Sequence, residues 1–142
     1  MKGILLCVAL AAAGHAVYQV GQKSLPAAAN PMLLLVGVYS VALPVAALAA
    51  PFFPTPEGVA LRAQVFNAPV LVLGAGVLAI ELGFLFLYRR GAGLQWAGIA
   101  VTGLSALVLI PIGIAWFREG FSPGRLLGMG LTLAGLALMV RR

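Results

Sequence analysis

Aspartate is absent from this chain, and glutamate occurs only at Glu57, Glu81 and Glu119. Histidine occurs once, as His15, and cysteine once, as Cys7. Each scarcity excludes something. A single cysteine cannot close an internal disulfide, and Cys7, inside an apolar run, reads as core filler. His15 and Glu81 are too few to make a metal site. There is no glycine-rich nucleotide loop, no paired thiol and no nucleophile triad, so nothing argues for catalysis. No enzyme activity, cofactor or metal is expected. Charged residues make up 8% of the 142 residues. A soluble globule of this size needs far more charge to cover its surface.

What is present is apolar. Hydrophobic residues make up 63% and the mean hydropathy is +1.10. Five apolar segments stand out, at about 4–25, 32–50, 69–88, 94–117 and 124–140. A helix crosses the hydrocarbon with about 20 residues, and about 17 is the short limit. The first four segments qualify directly. The fifth qualifies if Gly124 and Arg125 supply its first turn and Arg125 snorkels outward. The expected class is therefore an all-α polytopic membrane protein, one domain of five transmembrane helices.

The connections are short, and Pro26, Pro31, Pro51, Pro54 and Pro56 read as boundaries or turns. In SPGR, Ser122 is a candidate cap and Pro123 a candidate first helical residue. Val59 to Phe66 reads as a short interfacial helix with Glu57 and Arg62 on its wet side. The N-terminal stretch MKGILLCVALAAAGHA has Lys2, an apolar core and small residues, as cleaved signals do. The polar positions that follow, and a length sufficient to span, favour a retained helix. Pro44 and Pro111 fall inside spans, where each removes an amide donor and is expected to bend its helix.

The formal charge is +6. Its basic residues sit singly or in pairs between apolar runs, which is loop anchoring and not the clustered footprint of a nucleic-acid binder. Five spans put Lys2, Arg62, Arg118 and Arg125 on one side. Lys23, Arg89, Arg90, Arg141 and Arg142 fall on the other. Orientation is read from a bias in this count, and there is almost none. Two expectations follow: the chain inserts both ways and pairs as an antiparallel homodimer, or a partner fixes its orientation.

Polar residues inside the spans are the candidate site. In AGHAVYQVGQK, residues His15, Tyr18, Gln19 and Gln22 fall on one helical stripe. Such a stripe suits a helix lining a cavity, and the same pattern is open to a hydrogen-bonded core reading. Glu81 lies well inside the third span, where a carboxylate is costly and functional by default. A structural bond to a neighbouring helix or to His15 is the alternative. Small residues mark helix packing: Ala75, Ala79 and Gly83 on the third span, Gly98, Thr102 and Ala106 on the fourth, and Gly124, Gly128 and Gly135 on the fifth. Thr102, Ser105 and Thr132 can bond locally to backbone. Tyr88, Trp96 and Trp116 lie near span ends, as interface belts do.

The stretch PIGIAWFREGFSPGRLLGMGLTLAGLALMVRR, Pro111 to Arg142, resembles the ending of an EamA-like half unit of the drug/metabolite transporter superfamily. It has a proline in the penultimate span, a glutamate (Glu119) in a short loop, a capping turn, and a glycine-rich last helix with Gly128 and Gly135. ELGFLFLYRRGAG, Glu81 to Gly93, looks like that family's third span running into the next loop. Lys23 fits the basic residue closing the first helix. The chain is more distantly similar to small multidrug resistance exporters, but has His15 where the spacing to the closing lysine would place their essential glutamate. Glu81, on another helix, does not inherit that role.

The resemblance implies half of a ten-helix inverted-repeat fold, completed by a second copy in opposite orientation. The expected function is secondary transport, most simply export, of a small polar or amphipathic metabolite across a bacterial inner membrane by alternating access. Its partners would be the bilayer, a second copy and the solute. Two alternatives stand beside it: a non-transporting membrane subunit of a larger complex, and a subunit of a lipid-linked sugar flippase.

Overall fold

Asparagine and proline set the helix boundaries. Asn30 stands before Pro31, and its Oδ1 accepts from the Met32 amide at 2.9 Å. Pro31 fills the first helical position, where a missing N–H costs nothing. Asn67 does the same work ahead of another helix: its Oδ1 accepts from the Val70 amide at 2.9 Å. Its Nδ2 donates to the carbonyls of Ala63 and Gln64, each at 3.1 Å. One side chain therefore closes one helix and opens the next.

The computed structural model describes residues 2–55, 58–118, 120 and 122–140. It is all helical in order: α1 (Lys2–Ser24), α2 (Pro31–Ala49), a 3-10 turn (Ala50–Phe52), α3 (Leu61–Val65), α4 (Ala68–Arg89), α5 (Leu94–Ala115) and α6 (Pro123–Val140). Pro56, Glu57, Glu119, Arg141 and Arg142, used in the sequence reading, lie outside the described residues, as does the Arg125 side chain.

Among the described residues, four helical stretches are long and apolar enough to cross a membrane: Lys2–Ser24, Pro31–Phe52, Ala68–Arg89 and Leu94–Ala115. α6 has 18 residues and a shorter apolar stretch, Leu126–Gly135. A crossing at 124–140 would need nearly the whole of α6, at the short limit for a span. Gly124 and Arg125 do supply its first turn. The backbone carbonyl of Ser122 accepts from the Leu126 amide at 3.4 Å.

Other boundaries moved for local reasons. α2 tightens into the 3-10 turn at Pro51, whose ring nitrogen cannot extend the ladder. α5 ends at Ala115 and not Phe117. Trp116 still donates to the Ile112 carbonyl at 2.8 Å, but two residues on Arg118 has φ 52°. That left-handed backbone is incompatible with a continuing helix. The interfacial helix expected over Val59 to Phe66 is one short turn, Leu61–Val65, with Arg62 exposed.

The polarity of the fold is inverted relative to a soluble protein. Leu10 is 75% exposed and Leu48 76%, whereas Gln19, Gln22 and Glu81 are buried. Apolar surface turned outward over whole helices, with amides and a carboxylate turned inward, is what a lipid environment selects. Together with the four spans, it identifies an integral membrane protein.

The helices fall into two units. α1, through Lys23, groups with α5 and α6. The second unit runs from Ser24 to Arg89 and holds α2, α3 and α4. In the first unit, α5 packs along α6. In the second, α2 contacts α4. There Arg89, in the last turn of α4, donates through Nη2 to the Ala29 carbonyl at 2.6 Å, holding the backbone that enters α2.

Candidate functional site

The site is built on α1 and α5. Lys23, at the end of α1, donates from Nζ to the Ala92 carbonyl at 2.7 Å. Ala92 follows Gly91, whose φ of 87° is open to glycine and strained for other residues, and this turn delivers the chain into α5. With the end of α1 held at the start of α5, the helices run past each other in opposite directions. Four residues back from Lys23, Gln19 meets Gly98, the fifth residue of α5. A Cβ on Gly98 would sit 3.2 Å from Gln19 Nε2 and 3.4 Å from His15 Nε2. Gly98 was expected to be a packing glycine. Here it packs against polar side chains, and the missing side chain makes room for them.

The α1 stripe divides into two pairs. Gln19 Nε2 lies 2.8 Å from His15 Nε2. With the amide donating, His15 Nε2 accepts, which puts the ring proton on Nδ1. Gln22 Nε2 donates to the Tyr18 hydroxyl at 3.1 Å. The His15 and Tyr18 rings are 6.2 Å apart and tilted by 52°. His15 and Gln19 line an open groove of about 600 Å³ between α1, α5 and α6, and Tyr18 and Gln22 do not. The four stripe residues are thus two i, i+4 pairs, of which one faces the groove.

Across from the first pair, Gly98, Thr102 and Ala106 form the α5 wall. Their spacing of four had read as a helix-packing stripe, and it serves as the floor of the groove. Gln95 extends the same face, and Thr132 of α6 completes it. Sequence reasoning passed over Gln95, although its position three residues before Gly98 puts it on that face. Thr132 does bond locally, as expected: its Oγ1 donates to the Gly128 carbonyl at 2.8 Å. At 1.5 Å per residue, Gly98 lies about 6 Å from the start of α5, and His15 about 14 Å from the end of α1. The groove's polar end is therefore below the helix ends, within the apolar length of both helices.

A second cavity of about 450 Å³ lies between α5 and α6, walled by Leu107, Ile110, Ile114, Met129 and Leu133. It shares Gly103, Ala106 and Thr132 with the groove. Gly128 also lines it. Added Cβ atoms at Gly83, Gly124, Gly128 or Gly135 would meet nothing within 4 Å among the described residues.

Glu81 belongs to the other unit, on α4. It is buried, and Tyr39 of α2 is within electrostatic reach of its carboxylate. One and two turns on, Phe84 and Tyr88 are also buried, with their rings 6.1 Å apart and nearly parallel. Pro44 and Pro111 sit inside α2 and α5. Without an amide N–H, Pro44 leaves the Ser40 carbonyl without its helical donor, and Pro111 does so for Leu107. Ser40 Oγ donates back to Val36 at 2.7 Å and Gly37 at 3.0 Å, so α2 carries two ladder irregularities within a turn. Among the described residues, no three His, Cys, Asp or Glu side chains come together as a metal ion would require.

Comparison with family models, curated proteins and solved structures finds no match for this chain.

Proposed function

We propose that this integral membrane protein is a secondary transporter of a small polar or amphipathic solute, with the α1–α5 groove as its solute site. The observation that carries the reading is the hydrogen-bonded His15–Gln19 pair set against Gly98 in a groove about 600 Å³ in volume. A volume in this range suits a small ligand. Polar side chains are costly in an apolar span, and here His15, Gln19, Gln95, Thr102 and Thr132 all line one open space.

Glu81 enters the reading separately, as a buried carboxylate in an apolar span that binds and releases a proton or a cation during the cycle. Pro44 and Pro111 supply the places where α2 and α5 can flex. The likeness of Pro111 to Arg142 and of Glu81 to Gly93 to an EamA-like half unit belongs to the same proposal, and so does a fifth crossing by α6. The near-equal basic residues on the two sides support insertion in both orientations and an antiparallel homodimer, working by alternating access. Export across a bacterial inner membrane is the direction proposed.

A specific observation favours a second reading, a non-transporting subunit of a larger complex. Among the described residues, a Cβ at Gly83, Gly124 or Gly135 would meet nothing within 4 Å, and such positions accept a partner helix closely. A lipid-linked sugar flippase subunit is a variant of this reading.

Flux decides between them. Purified protein in liposomes is offered a broad panel of solutes under a pH gradient, with Glu81→Gln beside it. Solute-dependent flux that Glu81→Gln abolishes or uncouples supports transport. No flux across the panel, together with an unlike partner co-purifying in fixed ratio, supports the subunit reading.

A further inference from the structure

We infer that the groove selects an uncharged amphiphile, with a hydrogen-bonding head at His15, Gln19 and Gln95 and an apolar tail between α5 and α6. The inference rests on reading the groove as the solute site and names the class of solute. Two features carry it: the chemistry of the lining and the adjacency of the two cavities.

No lysine, arginine, aspartate or glutamate lines either cavity among the described residues. An ion entering the groove would lose its hydration without gaining a counter-charge from the described residues, which is strongly unfavourable. The polar groups present are an imidazole, two amides and two hydroxyls. Such a set offers both donors and acceptors, as a hydroxyl or amide head requires. The Thr132 proton is already given to the Gly128 carbonyl, so its oxygen remains as an acceptor.

Beyond Thr132 the lining changes. The small residues Gly103, Ala106 and Thr132 line both the groove and the α5–α6 cavity, so the two adjoin there. Past them the larger side chains of the wall are Leu107, Ile110, Ile114, Met129 and Leu133, with no amide or charged side chain among the described residues. A wholly polar solute would leave this arm unmatched. A plain hydrocarbon would leave the His15–Gln19 end unmatched. A neutral head joined to an apolar tail matches both.

The test uses the full chain in nanodiscs of neutral phospholipid. Three photoactivatable probes carry the same decyl-length tail with a diazirine, and differ in the head: a glycerol ester, a carboxylate or a quaternary ammonium. Cross-links are mapped by mass spectrometry. The glycerol-ester probe is expected to label α5 and α6 around Ala106 and Met129, saturably, and to be displaced by unlabelled monodecanoylglycerol. The charged probes are expected to label those residues about tenfold less.

Gln19→Met is expected to lower glycerol-ester labelling about tenfold and leave the charged probes unchanged. Gln95→Met, at an exposed position, gives the same readout if Gln19→Met does not fold. Equal or stronger labelling by a charged probe, or labelling indifferent to the folded variant, overturns the inference. Flux of a charged solute without groove labelling overturns it while leaving transport intact. Saturable neutral labelling without flux of any solute upholds it and overturns the transport reading.

Discussion

The Gln19 amide lies 2.8 Å from the His15 imidazole, one helical turn away, with Gly98 of the facing helix against both. Gln19 is buried and His15 is exposed to the groove. The amide thus orients a ring that a ligand can reach, which is the relation expected between a positioning group and a binding group.

The room at Gly98 gives the first prediction. Gly98→Ala puts a methyl 3.2 Å from a flexible amide, which can give by a few tenths of an ångström. It should fold normally and keep most solute binding. Gly98→Val adds two methyl groups into the same space and should cost about 1–3 kcal/mol of local packing. Binding should fall at least tenfold while the secondary structure holds. Solute titration and circular dichroism of the two variants check this.

Lys23 is the second. Its bond to the Ala92 carbonyl holds α1 at the entrance of α5. Because Lys23 is exposed, Lys23→Met should remove only about 1 kcal/mol. The sharper signature is local: amide exchange over 90–93 should quicken, with α2 unchanged. Hydrogen-exchange mass spectrometry in nanodiscs reads both.

The cap of α2 is the third. Asn30→Ala removes the acceptor for the Met32 amide and should cost about 1 kcal/mol. Asn30→Asp keeps the acceptor and should be near neutral. Thermal unfolding in a single detergent distinguishes them. Equal losses for the two variants would mean that the cap is not what holds this helix start.

Much of the fold could be read before the structure, because hydropathy and proline are strong local signals. All four long spans came within a few residues of their observed ends. The end of α5 was missed because the left-handed conformation of Arg118 has no compositional signature. The caps at Asn30 and Asn67 were legible but overlooked, since Asn before Pro, or three residues before a valine run, is an ordinary N-cap pattern.

The candidate site was half legible. Period-four spacing found His15, Tyr18, Gln19 and Gln22, but cannot say which pair faces a groove, because that depends on the rotation of α1 against α5. The Gly98, Thr102 and Ala106 stripe was found for the same reason and given a packing role. Its role as a groove wall became visible only with the polar pair opposite it.

Orientation is the fourth prediction. Single cysteines at Lys2 and Arg142, in a Cys7→Ala background, are probed in native membranes with an impermeant thiol reagent before and after lysis. Dual insertion predicts that each terminus is labelled from outside in roughly half of the molecules. Full labelling of one terminus and full protection of the other would rule out the antiparallel homodimer and direct the search to an unlike partner.

The most direct test of the central claim is solute flux in liposomes holding wild-type protein or Gly98→Val, reconstituted at equal density and with equal helix content by circular dichroism. If the α1–α5 groove is the transport site, the wild type carries solute and Gly98→Val loses at least nine-tenths of that flux. Equal flux through both would contradict the account, because the solute would then cross without passing Gly98.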